Sequence, residues 1–266
     1  MNSNKADAFL PVVGVAGLLA VWSLVTWRQW VDPVLLPSPI ATFDSLWRGM
    51  EGTIGFDFLK TVYRTAASIL IAAVIAIPLG IVLGSSERLY RSLEFVIDFF
   101  RSTPASAMFP LFLVLFGVGD ETKIAVAAFG AILVILFNVA YGVMNARKTR
   151  LLAAKVMGAS RWRVLFDVML LESLPQTFVG LRNRVSLALV IIVVAEMFIG
   201  SQDGLGHSVF EAQQLFDMPR MYAAIFAAGA GLWTQSAVPA DRAAFRPLVW
   251  EMNGRELKLP GTERYE

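Results

Sequence analysis

Ionisable and amide side chains set inside long apolar runs are where this sequence could do chemistry. Glu196 lies near the far end of the run Val185–Gly200, Asn138 lies inside Ile124–Met144, and Asp98 and Arg101 sit three residues apart in the first turns of Phe95–Val118. A charge at the centre of a bilayer costs about 2.5–3.5 kcal/mol or more, so such residues are pathway candidates by default. Asn138 has two readings, lining a path or gluing two helices together. Glu196 stands about a turn from the end of its run, so snorkelling to water competes with a place on the path. Asp98 and Arg101 are expected to pair with each other. Pro104 and Pro110 would free backbone carbonyls toward a pore, or simply kink the chain. Cysteine is absent, and the single histidine, His207, falls in a polar segment without ligand partners, where it reads as a surface residue.

The elements that must carry these residues follow from composition. Of 266 residues, 56% are hydrophobic and 17% charged, and the mean hydropathy is +0.61. Soluble domains average about 45–50% apolar and about 25% charged. A soluble enzyme, a disordered chain, a disulfide-stapled domain and a zinc ribbon are excluded. A net charge of +2 is too small to suggest nucleic acid. A bilayer span needs roughly 20 mostly apolar residues. Phe9–Trp27, Ala66–Gly84, Phe95–Val118, Ile124–Met144 and the shorter Val185–Gly200 approach or meet that, and a sixth run starts at Met221 and stops at Gly231. Lipid leaves backbone groups no partner outside the chain, and these runs lack the alternation of a membrane barrel, so they are read as helices. The fold class expected is an all-α polytopic membrane bundle of five to six transmembrane helices. The first run is longer than a signal peptide and reads as an anchor.

Positive charge sets the orientation. Arg147, Lys148, Arg150, Lys155, Arg161, Arg163, Arg182 and Arg184 lie between the fourth and fifth runs, and Arg88 and Arg91 between the second and third. Val118–Thr122 has none and Ser201–Arg220 has only Arg220. The basic loops and the N-terminus are therefore placed in the cytoplasm.

The segment Asn145–Arg182 is unusual for a loop. Gly158-Ala159-Ser160 separates two helix-like stretches, with Gly ending one and Ser160 capping the next. The apolar residues of Arg161–Leu171 are too many for a solvated helix. Two readings stand: an interfacial helix on anionic lipid, or a helical knob seated in a groove on a cytoplasmic partner.

Leu152-Ala153-Ala154, then Gly158, then Val168-Met169-Leu170 resembles the EAA loop of ABC importer permeases. The longer text AAKVMGASRWRVLFDVMLLESLPQTFVGLR is similar to the nitrate/sulfonate/taurine branch. So are RSTPASAMFPLFLVLFGVGDETK, LLPSPIATFDSLW and VVAEMFIGSQDGLGHSVFEAQQLFDMPRMYAAIFAAG, and the likeness runs from about Val34 to Gly229. It departs at Leu152, where the family has Glu, and at Leu171, where it has Pro; losing the acid removes a partner for a basic group on the ATPase.

The resemblance implies a permease subunit without covalent chemistry. Two copies, as a homodimer, would form the path, each seated on a cytoplasmic ABC ATPase subunit, with a periplasmic substrate-binding protein delivering a small anion such as an aliphatic sulfonate, taurine or nitrate. ATP would be hydrolysed by the partner subunit, because the chain lacks G-x-x-x-x-G-K-[ST] and binds no cofactor directly. Ala153, Ala154, Gly158, Ala159, Ser160 and Arg161 would form the ATPase-coupling surface. Small residues allow close approach, although Ala153 and Ala154 could equally serve to pack two loop helices. The alternatives are a non-transporting membrane scaffold, separable by substrate flux, and a proton-coupled carrier, for which only Glu196 is available.

Residues 230–266 do not fit. They hold ten charged side chains and no run of span length. Trp250-Glu251-Met252-Asn253 must be encoded TGG-GAR-ATG-AAY, which one nucleotide later reads Gly, Lys or Arg, stop. The same shift over Trp233–Val249 permits an apolar half-span with a basic end. The expectation is a permease domain over 1–229, with its coupling loop at 145–182, and an atypical polar tail created by a frameshift near Gly229–Leu232.

Overall fold

The computed structural model describes residues 3–145, 148–160 and 163–236. Every regular element among them is helical, as the apolar runs required. The helices are α1 (Ser3–Trp27), α2 (Pro39–Met50), α3 (Thr53–Gly84), α4 (Glu87–Ser102), α5 (Phe109–Phe116), α6 (Asp120–Met144), α7 (Lys148–Val156), α8 (Leu171–Phe198), α9 (Leu205–Gln214) and α10 (Met218–Ser236), with a 3-10 turn at Ala105–Met108 and a π-helical stretch at Val164–Leu170. Two compact units result, one from residues up to 64 with 192–232 and one from 65–191.

Local signals explain several boundaries. Ser38 Oγ accepts from the Ala41 N–H at 3.3 Å and Pro39 occupies the first turn, starting α2. Ser86 caps α4, with Glu87 at the positive end of the helix dipole. Gly117, at φ +76°, ends α5, and Asp120 and Glu121 fill the first turn of α6.

In the unit built on 65–191, Ala72, Ala76, Gly80 and Gly84 recur every four residues on α3 and form a groove for α6. A Cβ at Gly80 would lie 2.7 Å from Val139 Cβ, and one at Gly84 would lie 2.6 Å from the Ala140 carbonyl oxygen. Helices approach closely in membranes through such small residues, because lipid leaves no hydrophobic drive to bring them together. Ile81, Ile97, Ile135, Leu136 and Val143 close this core.

The other unit packs Ile54, Leu205, Ala223 and Ala227 against Leu46 and Phe58. Trp22 stacks on Phe226 at 5.8 Å and donates from Nε1 to the Pro37 carbonyl at 3.0 Å, tying α1 to the start of α2. At 3.6 residues per turn α2 divides into three sectors. Pro39, Thr42, Leu46 and Gly49 face the protein, and Ala41, Asp44, Ser45 and Arg48 form a mostly polar sector. Ile40 (83% exposed), Phe43, Trp47 (74%) and Met50 form an exposed apolar one.

Several expectations need correction. The third run is not one straight span: α4 and the Ala105–Phe116 segment meet at 87°, the break falling at Thr103–Pro104 where proline supplies no N–H. Pro110 lies in the first turn of α5, where it costs nothing. Among the described residues two helices, α3 and α6, are long and apolar enough to span, or three if the bent pair counts as one. Pro11–Trp27 is a shorter apolar helix. The other expected spans are shorter, bent or charged among the described residues; the last 18 residues of α8 contain Arg182, Arg184 and Glu196. Ser201–Arg220, read as an outside loop, contains α9 and the start of α10. The expected Arg161–Leu171 helix is largely a π-helical stretch, and α8 already begins at Leu171. The sixth run continues as helix to Ser236, past Gly231; residues 237–266, with most of the expected tail, lie outside the described residues.

Candidate functional site

Glu196 does not snorkel. Its residue is 1% exposed, and Oε1 accepts from Arg64 Nη1 at 2.7 Å. The hydroxyl of Thr61 lies 3.0 and 2.9 Å from the two carboxylate oxygens, and the Gly206 N–H donates to Oε2 at 3.0 Å. Arg64, also 1% exposed, holds Asp203 through Nη2 and its carbonyl through Nη1 at 3.0 Å. Lys60 Nζ stands 3.6 Å from Asp203 Oδ2. All these groups belong to the unit of residues up to 64 and 192–232.

The sequence folds this way because α9 begins buried and must satisfy its first N–H groups. Gly204 donates to Asp57 Oδ1 at 2.8 Å, Leu205 to Thr61 Oγ1 at 2.9 Å, and Gly206 to Glu196. Ser208 adds a hydroxyl bond to Asp57 Oδ2. Carboxylates at a helix N-terminus also meet the positive end of its dipole. Gly204 has φ +105°, and a Cβ there would lie 2.4 Å from the Glu196 carboxylate and 2.6 Å from Arg64 Nη1. Only glycine closes this turn.

In the other unit, α7 ends as the sequence predicted. Gly158 takes φ +75°, and the Ala159 N–H donates to the Ala154 carbonyl at 3.0 Å, the bond that closes a glycine-terminated helix. Ser160 Oγ then accepts from the Arg163 N–H at 3.4 Å. Ala154 is buried, Ala159 half-buried, and Ala153, Gly158 and Ser160 are exposed. Arg161 lies outside the described residues. Leu152, Val156 (88%) and Met157 leave an apolar patch in solvent. Among the described residues of the π-helical stretch, several apolar side chains turn toward the protein. Val164 is buried, and Leu165, Met169 and Leu170 pack on the core of α3 and α6.

The same unit holds a cavity of about 220 Å³ walled by Phe100, Arg101, Thr103, Pro104, Phe129 and Arg184, among others. Asp98 and Arg101 pair at 3.0 Å, as expected, and Arg101 also lies 4.7 Å above the Phe137 ring. Arg184 Nε is buried without a hydrogen-bond partner among the described residues. Leaving a buried donor unsatisfied costs about 1–3 kcal/mol. Asn138 donates to the Val134 carbonyl of its own helix at 2.8 Å, a bond that joins no second helix. His207 is half-buried on α9 rather than in a loop.

Sequence reading missed Arg64, Asp57 and Thr61, which lie before the second run, and counted Arg184 only as loop charge. The available signal was helical: apolar Leu205, Val209 and Ala212 recur at intervals of four and three.

Residues 76–238 match the family described as binding-protein-dependent transport system inner membrane component. The taurine transport system permease protein TauC of Escherichia coli is 30% identical over 209 residues, covering 76% of each chain. The nitrate import permease protein NrtB of Synechococcus elongatus is 30% identical over 224 residues, 80% of this chain and 79% of that one. An inward-facing structure of the MetNI methionine ABC transporter shares the fold, with a TM-score of 0.60 at 20% identity over 73% of this chain and 93% of that one. Small-residue helix packing, a glycine-ended loop helix and these matches agree, and the chain belongs to the family of binding-protein-dependent transport system inner membrane components, the permease subunits of ABC importers.

Proposed function

We propose that this permease subunit serves the import of a small anion such as an aliphatic sulfonate, taurine or nitrate, driven by ATP that a separate ATPase subunit hydrolyses. The chain itself binds no cofactor and carries no ATPase site. A periplasmic binding protein delivers the anion, a second copy of the chain completes the path, and lipid covers the apolar helices. No nucleic acid takes part. The N-terminus lies in the cytoplasm with the basic loop.

The observation that carries coupling is the turn at Gly158. It sets Ala153, Gly158 and Ser160 at the surface beside the exposed Leu152, Val156 and Met157, with Ala154 and Ala159 packed behind. An exposed apolar patch beside basic residues on a short helix suits a groove on a cytoplasmic protein. Arg161, next in sequence after Ser160, brings a further positive charge to the coupling loop. Because the following π-helical stretch packs on α3 and α6, a push on α7 reaches the membrane helices directly. Glu196, locked to Arg64 and Thr61, serves the path as a fixed wall rather than as a moving charge, and Asn138 offers its amide from α6.

Gly158→Val tests the reading. A β-branched residue is strained at φ +75°, so the turn shifts. The ATPase should then co-purify poorly, and ATP-dependent uptake should fall about tenfold or more while the permease still inserts. Full ATPase binding and uptake in this variant would place coupling elsewhere.

A further inference from the structure

We propose that the cavity beside Arg184 is an oxyanion subsite on the translocation path, and that Arg184 is the group that holds the transported anion there. The inference rests on the small-anion reading above and names the residue that would meet the cargo.

Among the described residues, the cavity carries a cation without an answering anion. Arg101, on the same wall, already faces Asp98 at 3.0 Å and the Phe137 ring at 4.7 Å. Arg184 shows no hydrogen bond or ion pair among the described residues, and its Nε is buried without a partner. A guanidinium offers five donors in a planar fork, and that fork matches the oxygens of a sulfonate or a nitrate two at a time. The orphaned Nε is one arm of that fork.

The walls suit the rest of such a ligand. Phe100 and Phe129 meet edge to face at 6.1 Å and offer an apolar side for a short carbon chain. Thr103 and Pro104 mark the break between α4 and the Ala105–Phe116 segment. Non-helical backbone at membrane depth is tolerated where it lines a water-filled cavity. About 220 Å³ corresponds to roughly seven waters at about 30 Å³ each, room for a small oxyanion with part of its hydration. A single free arginine binds without enclosing, and a transport site must release what it binds.

The test uses the permease assembled with its ATPase and binding protein. In proteoliposomes, Arg184→Gln should lower ATP-dependent uptake of labelled taurine or nitrate by about tenfold or more, with binding-protein-stimulated ATP hydrolysis retained. Arg184→Lys, which keeps the charge and loses the fork, should fall between. Undiminished uptake in Arg184→Gln overturns the proposal. So does joint loss of uptake and ATP hydrolysis in both variants, which marks a structural residue. Separately, the Tm of the detergent-purified complex should rise with nitrate or ethanesulfonate over chloride at equal ionic strength, and Arg184→Gln should abolish the rise. An equal rise in the variant, or a rise that only phosphatidylglycerol produces, also overturns it, the latter assigning the cavity to a lipid headgroup. If the wild type takes up neither anion and the Tm rise still depends on Arg184, the subsite stands and the small-anion cargo falls.

Discussion

Arg64 and Glu196 are each about 1% exposed, and an enclosed ion pair is asymmetric: forming it gains little, while removing one partner strands a buried charge. Arg64→Ala, which strands Glu196, should therefore destabilise the permease by about 3–5 kcal/mol, read as loss of folded protein in detergent, and Glu196→Ala should cost less, because Arg64 keeps its pair with Asp203. The double variant should recover part of the Arg64→Ala loss, because the Glu196 carboxylate is then no longer stranded; a strictly additive loss would show the pair is not coupled. Gly204→Ala should fail similarly, since its Cβ would enter the same space. Leu152→Glu works in the opposite direction. Leu152 is 61% exposed, so an acidic residue costs little in stability. It should raise uptake per ATP hydrolysed if the ATPase presents a basic group there, and an unchanged ratio would remove that position from coupling. Residue-scale legibility followed sequence distance. Gly158 and Ser160 act on neighbours within a few residues and were readable. Glu196 meets Arg64 across 132 positions and Gly204 meets Asp57 across 147, and no local pattern announces a partner so remote.

Helix α2 is the element whose faces say most about its surroundings. Its exposed apolar sector, Ile40, Phe43, Trp47 and Met50, adjoins a mostly polar sector containing Asp44 and Arg48. That is the division of a helix lying along a membrane–water boundary, with Trp at the interface. The absence of native cysteine makes single-cysteine spin labels clean probes. In proteoliposomes, labels at 40, 43 and 47 should collide with oxygen and resist a water-soluble nickel chelate, and labels at 41, 44 and 48 should show the reverse. Equal nickel access at all six positions would place α2 in water. The Ser38-Pro39 start of α2 was present in the sequence, inside the stretch LLPSPIATFDSLW, yet that stretch was read for its family likeness and not as a helix. Helix α9 was harder: its first residue-side cap is glycine, because the capping oxygens arrive from α3 and α8. The break at Pro104 was foreshadowed by proline chemistry, but its 87° angle depends on packing that periodicity does not carry.

At the scale of the whole chain, the all-helical class was legible because the apolar runs leave no other way to pair a backbone in lipid. The number of spans was not, since α3, at 32 residues and about 48 Å, extends well beyond the hydrocarbon thickness of about 30 Å, while other runs are bent or charged. The polar stretch after Ser236 has its own test: genomic sequencing should show codons over 233–249 that spell an apolar run one nucleotide later, and codons that do not would end the frameshift reading. The most direct measurement is uptake by the assembled transporter, with permease, ATPase and binding protein in sealed proteoliposomes. The account predicts accumulation of labelled taurine, an aliphatic sulfonate or nitrate that requires both hydrolysable ATP and the binding protein. Assembly with intact ATP hydrolysis and no flux of any such anion would contradict it.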